Sequence, residues 1–248
     1  MGKIELVPDA DLLLVGITKY LCWEYTSCAH VVVYGSTGSG KTYLCKIILG
    51  RISKGIADSE LIICDYKADA DFSFLEECEN FFRFTECMKG LEKVYEELCA
   101  RQSRDSKKRH FLCLFFDEWA SFVSNLEKKE AERAKTMLAS LLMLGRSFQI
   151  HVIISQQRVD SVYFGNARDN FSVIIGMGRL SKESVQMMFS DYKDEIIPNK
   201  PRGYGTAIIG NRLRNIVVPR VRDTEKLHRS IREAVERFLA VASASAEP

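Results

Sequence analysis

The octapeptide Gly35-Ser36-Thr37-Gly38-Ser39-Gly40-Lys41-Thr42 constrains this chain more than any other feature, because it fits G-x-x-x-x-G-K-[ST] at every fixed position. The run Val31-Val32-Val33-Tyr34 before it reads as a strand, and Thr42 to Ser53 after it as a helix. Glycines between a strand and a helix let the backbone wrap a phosphate and aim several N–H groups at it. The helix N-terminus adds positive potential. On this reading Lys41 reaches the β- and γ-phosphates, and Thr42 offers its hydroxyl to Mg2+. The bland alternative, a glycine-rich turn with a chance Lys-Thr, leaves the flanking strand and helix unexplained.

Short β-branched runs recur along the chain: His30 to Tyr34, Leu61 to Asp65, Phe111 to Phe116, Ile150 to Ser155 and Val173 to Gly176. Continuous apolar runs indicate strands buried on both faces. Helix-length stretches separate them, with Met88, Leu91, Tyr95 and Leu98 at helical spacing within Glu86 to Arg101, and a long helix expected from Leu126 to Leu144. The pattern predicts an α/β fold, a mainly parallel sheet with helices on both faces. After Gly203 the texture changes. Thr206 to Ile209 and Leu213 to Val218 flank Gly210-Asn211, a hairpin signal. Leu227, Ile231, Val235 and Phe238 mark a final amphipathic helix. With no repeat or linker, a single domain over 1–240 is expected, followed by a disordered tail over 241–248.

The second half of a phosphate site is expected at Phe111-Leu112-Cys113-Leu114-Phe115-Phe116-Asp117-Glu118, an apolar strand ending in two acids. Asp117 would hold Mg2+ directly or through water. Glu118 is placed to polarise a water for attack on the γ-phosphate, which favours an ATP hydrolase. The guanine motif N-K-x-D is not met, since Asn199-Lys200-Pro201-Arg202 ends in Arg. Strand C-termini of a parallel sheet line the ligand crevice. A glutamine ending the next strand, Gln157 or else Gln156, can therefore sense the γ-phosphate or its attacking water. Arg146 precedes that strand; it reads either as a surface residue or as a finger reaching a neighbouring subunit's site.

Overall charge is silent about partners: 35 Lys and Arg against 33 Asp and Glu give a formal +2. The eight cysteines include no C-x-x-C pair, and reduced, mostly buried thiols are expected. No apolar run approaches the ~20 residues that cross a bilayer, and the first residues lack a signal-peptide pattern. A cytoplasmic protein without a membrane span is expected.

The ordered motifs resemble the motor core of the FtsK/SpoIIIE DNA translocases, within the FtsK/HerA group of P-loop ATPases. Val33 to Thr42 is similar to that family's phosphate loop. Leu61-Ile62-Ile63-Cys64-Asp65-Tyr66-Lys67 resembles a strand ending in Asp-Pro-Lys, with Tyr66 in place of proline. Leu91-Glu92-Lys93-Val94-Tyr95 resembles the helix before the acidic strand, and Phe116-Asp117-Glu118-Trp119-Ala120 resembles Asp-Glu-Phe-Ala. Arg146-Ser147-Phe148-Gln149-Ile150-His151, running on to Ser155-Gln156-Gln157-Arg158, parallels Arg-x-x-Gly-Ile-His followed by Thr-Gln-Arg; Gln149 departs from the glycine. The resemblance spans about Val31 to Val218 and implies a RecA-like core that binds ATP and Mg2+. It makes Gln157 the sensor and Arg146 the finger. It also implies a homo-oligomeric ring, usually a hexamer, that pumps double-stranded DNA in DNA transfer, segregation or packaging. No membrane anchor or winged-helix module is expected within these residues, so a separate protein would supply tethering or DNA loading. A compact motor of a mobile element, plasmid or phage fits.

Charge is unevenly spread. Ile56 to Ala100 carries twelve acidic and four basic residues, and Lys200 to Arg237 ten basic and four acidic. The basic loop Arg101 to His110, with Lys107, Lys108 and Arg109, reads equally as a DNA contact or a solvated turn. Arg212 and Arg214 in the hairpin are a second candidate for sequence-independent phosphate contacts. Phe81, Phe82 and Phe84 read as core packing before a base-stacking platform. Two rivals to a duplex motor remain. One is an ATP-dependent switch that recruits a protein partner; the other is a motor on single-stranded DNA or protein.

Overall fold

The computed structural model describes residues 2–103, 109–158 and 160–244, with side chains as far as Arg237. The elements follow in chain order as β1 (Ile4–Pro8), α1 (Ala10–Leu14), β2 (Tyr20–Trp23), β3 (His30–Gly35), α2 (Lys41–Gly55), β4 (Glu60–Asp65) and β5 (Phe81–Arg83). Then come α3 (Cys87–Ser103), β6 (Leu112–Asp117), α4 (Trp119–Asn125), α5 (Lys128–Leu144), β7 (Ile150–Gln156) and β8 (Phe171–Met177). The chain closes with α6 (Lys182–Met188), β9 (Tyr204–Ile209), β10 (Arg212–Val217) and α7 (Thr224–Ala244).

Eight strands form one sheet in the order β10-β9-β8-β3-β7-β6-β4-β5. The six strands from β8 to β5 are parallel, and β9 and β10 extend the sheet antiparallel. Alternating residues of each strand feed two cores, as the continuous apolar runs require. Val31 and Val33 of β3 meet Leu44 and Ile48 of α2 and Ile231 of α7 on one face. Val32 and Tyr34 share the other with Leu91 of α3 and Leu138 of α5. The sheet is therefore covered by helices on both faces. Gly210 and Asn211 both have positive φ, as a two-residue hairpin turn demands.

Several regions differ from the pattern expected of the sequence, among them the edge strand β5 and helix α6, where no element was expected. The stretch assigned to one helix from Leu126 is two elements: Leu126 and Glu127 are extended, separating α4 from α5. Helix α7 runs to Ala244, past the point where a tail is expected. The N-terminal residues, in which no element was evident, form the β1-β2 hairpin. Trp23 of β2 is fully buried, meets Tyr25, Phe111 and His151 edge to face, and donates its indole N–H to the Cys28 carbonyl. The hairpin is thus part of the core beneath the N-terminal ends of β6 and β7. All eight cysteines are free, and five are buried. No helix among the described residues is long and apolar enough to cross a membrane.

Emptying the Trp23 site is expected to cost about 3–5 kcal/mol. Urea unfolding of Trp23→Ala will show this as a lowered midpoint with an unchanged slope.

Candidate nucleotide site

The strand ends that carry the motif residues lie side by side. Gly35 of β3 is opposite Met177 of β8, Tyr34 is opposite Gln156 of β7, and Asp65, Asp117 and Ser155 align across β4, β6 and β7. Parallel register alone therefore gathers the loop, both candidate acids and both glutamines at one edge of the sheet. Gly35 has φ +151°, and a Cβ there would lie 2.3 Å from the Met177 carbonyl oxygen, so only glycine lets the loop leave the strand. Gly40, with φ +102°, turns the chain into α2. The loop is braced from outside: the Gly203 N–H donates to the Ser39 carbonyl at 3.1 Å, and Gly178 packs against Ser39.

Lys41 is buried, and its ammonium donates to the carbonyls of Gly35 at 2.7 Å and Ser36 at 3.3 Å. Burial pulls its pKa down, opposed by the charges of Glu118 and Asp117. Asp117 is also buried, and burial pushes its carboxyl up to about 7, with Glu118 and Asp65 adding to the rise and Lys41 opposing it. Asp65 is raised in the same direction, chiefly by burial. Cys45, one turn along α2 from Thr42, lies in the field of Asp117, so Asp117 faces the first turn of that helix. A buried carboxylate at the hydroxyl-bearing start of a helix is a hard oxygen set that suits Mg2+.

Glu118 is buried, and its backbone fixes where it lies. Its N–H donates to the Ser155 carbonyl at 2.7 Å, extending the ladder by one residue, and it turns into α4 in the left-handed conformation with φ 57°. That conformation is uncommon outside glycine and asparagine. The Gln157 amide donates to the Glu118 carboxylate at 3.5 Å, so acid and candidate sensor share one cleft. Gln156 is buried, and its amide donates to the Arg158 carbonyl, which makes it the less available of the two glutamines. Two further arginines, Arg158 and Arg179, line the cleft along Gly35, Ser36 and Thr37. Arg158 was visible only as part of the Gln-Gln-Arg run, and Arg179 follows β8 in no recognisable motif.

Arg146 is exposed before β7, at the opposite end of the sheet from its own phosphate loop, with its guanidinium 3.4 Å from the Ser27 carbonyl. Seven strand residues, about 20 Å, separate it from Gln157. It is not part of this chain's own site. The candidate DNA contacts are scattered. Arg109 donates to the Ser147 carbonyl at 2.7 Å and stacks over Phe148, so it is engaged with its own chain. Lys107 and Lys108 lie outside the described residues. Arg212 is exposed, while Arg214 is half-buried and sits 3.8 Å from Asp9. Phe81 and Phe82 are half-buried in the core, and exposed Phe84 stacks on Tyr66.

Comparisons with known proteins bear on the family and the fold. No protein-family model matches the chain. It is 26% identical over 211 residues to the FtsK domain-containing protein YdcQ of Bacillus subtilis (strain 168), matching 78% of this chain and 43% of that protein. The chain therefore spans less than half the length of this relative. Among solved structures, it is similar to the pCW3 conjugation coupling protein TcpA with ATPγS, with a TM-score of 0.72 and 16% identity over 93% of this chain and 70% of that one. The cytoplasmic domain of the Thermomonospora curvata type VII secretion ATPase EccC gives a TM-score of 0.68 and 16% identity, over 94% and 31% of the two chains. In sequence and in fold the chain is similar to FtsK-type P-loop ATPases, and its fold is the RecA-like one of that class.

The raised carboxyl of Asp117 sets a pH-dependent stability. Its folded pKa lies above the unfolded value, so its contribution is intact below about pH 4 and is lost as pH rises through 7. Without nucleotide or metal, Asp117→Asn is expected to melt above the parent at pH 8, by roughly 2–4 kcal/mol of stability. The difference should fade toward pH 4 in thermal scans across that range.

Proposed function

We propose that this chain is an ATP hydrolase that binds Mg-ATP at Gly35 to Thr42 and serves as an FtsK-type motor domain acting on DNA. The observation that carries the reading is the meeting of Lys41, Asp117, Glu118 and Gln157 at one sheet edge, on a fold and sequence similar to FtsK-type ATPases. Residues 1–240 would act as one motor domain. Bound Mg2+ would neutralise charge on the β- and γ-phosphates, held by Asp117 and Thr42. Lys41 would exchange its loop carbonyls for phosphate oxygens. Glu118 would take the proton of a water attacking the γ-phosphorus while the bond to the bridging oxygen breaks, releasing ADP and phosphate. Gln157, already beside Glu118, would orient that water.

Arg146 lies about 20 Å from its own chain's site, so a finger role would need a second copy in a head-to-tail assembly. Such contacts close into rings when the rotation allows. The hexamer, double-stranded DNA as the substrate, and a separate tethering or loading protein belong to this proposal on the strength of the motif resemblance. A protein substrate is the second reading, favoured by the similarity to EccC, a secretion ATPase.

Glu118→Gln is expected to bind ATP with near-parent affinity and lose at least a hundredfold in turnover. Parent turnover, measured with no nucleic acid, single-stranded DNA and long duplex DNA, is expected to rise most with duplex. Indifference to all DNA in an assembled sample would favour the protein substrate or the recruiting switch.

A mixing assay tests the assembly. Inactive Arg146→Ala combined with inactive Lys41→Ala should regain part of the parent turnover, because some interfaces then pair an intact loop with an intact arginine. Absence of rescue in mixed assemblies seen by native mass spectrometry would count against Arg146.

A further inference from the structure

We propose that Arg179 contacts the terminal phosphate from within the same chain and makes the site discriminate nucleoside triphosphate from diphosphate. This rests on the nucleotide reading of Gly35 to Thr42. Arg179 follows β8, the parallel neighbour of β3, and the register sets Met177 opposite Gly35. The chain after β8 therefore runs directly beside the point where the phosphate loop begins.

The backbone there is pinned on every side. The Gly178 N–H donates to the Tyr204 carbonyl at 2.9 Å, the Lys200 N–H reaches the Gly178 carbonyl at 3.4 Å, and the Leu180 N–H donates to the Pro198 carbonyl at 2.8 Å. Arg179 itself bridges Asn199. Gly178, with φ +66°, is buried against Ser39 of the loop; a Cβ there would come within 2.9 Å of the Ser39 Cβ. The residue is thus docked on the loop through its neighbours, while its own side chain is exposed.

That side chain lines a cleft of about 410 Å³ with Gly35, Ser36, Thr37, Gln157 and Arg158. Among the described residues, no Asp or Glu lines the cleft. Arg179 takes part in none of the ion pairs among the described residues. Arg158 lines the same cleft and lies in the field of Glu183. An unpaired guanidinium against the N–H-rich loop and the sensor glutamine is an anion site. A guanidinium suits the planar, two-point recognition of phosphate oxygens. The outer side of the loop, next to Gln157, is where a γ-phosphate and no group of ADP would lie, so the contact would be lost after hydrolysis.

The test is equilibrium titration of fluorescent ATPγS and ADP, each with Mg2+, into the parent, Arg179→Ala, Arg179→Lys and Lys41→Ala. Arg179→Ala is expected to weaken ATPγS binding about tenfold or more while ADP stays within about twofold, and Arg179→Lys to fall between. An unchanged ratio of the two affinities in Arg179→Ala, or an equal loss of both, overturns the proposal while leaving the nucleotide site standing. A parent that binds neither nucleotide, indistinguishable from Lys41→Ala, overturns the reading beneath it. If Arg179→Ala melts below the assay temperature, Arg179→Lys carries the comparison.

Discussion

Lys41 and Asp117 are both buried within each other's field, and most of the architecture follows from that. A buried ammonium and a buried carboxyl are each costly alone. Here the ammonium is satisfied by two carbonyls of its own loop, and the carboxyl sits near neutrality with Glu118 and Asp65 beside it. Such an arrangement needs a dry, rigid frame, which six parallel strands with helices on both faces supply. It also leaves the site electrostatically incomplete. Three carboxyl groups crowd one edge, and the nearest ammonium is turned back onto the chain. A polyanion together with a divalent cation would resolve both conditions at once, with the lysine released to the anion and Asp117 drawn to the metal.

The parts of the fold legible in the sequence were those with strong local signals. The five central strands are continuous apolar runs, and the phosphate loop combines glycine spacing with a flanking strand and helix. The hairpin turn announced itself through Gly210-Asn211. What escaped was stabilised at a distance. The β1-β2 hairpin has no local turn signature, since its strands are joined through a short helix, and its hold on the core comes through Trp23 against residues about 90 and 130 positions away. The break between α4 and α5 lacks glycine or proline. Arg179 is one arginine among many in sequence, and only the register of β8 against β3 brings it to the loop.

Two backbone positions show where sequence departures become strain. Gln149 stands where the resemblance has glycine, and it adopts φ 57°, a conformation glycine takes freely. The cost, of order 1 kcal/mol, falls directly before β7, the strand that carries Ser155 and Gln156 and leads to Gln157. Glu118 is left-handed as well, at the other end of the neighbouring strand. The chemistry-bearing side chains are thus aimed by constrained turns at strand ends, so their directions do not depend on flexible loops.

The bond from Gly203 to Ser39 has a mechanical meaning. Gly203 lies immediately before β9, and the hairpin it introduces ends at Gly210-Asn211, six strand residues and about 20 Å away. Hairpin and phosphate loop are thereby parts of one hydrogen-bonded body, with Lys200 donating to the Gly205 carbonyl and to Asn215 near the junction. Because β9 is also paired with β8 along its length, a load on the hairpin is shared between the sheet and the bond from Gly203 to Ser39.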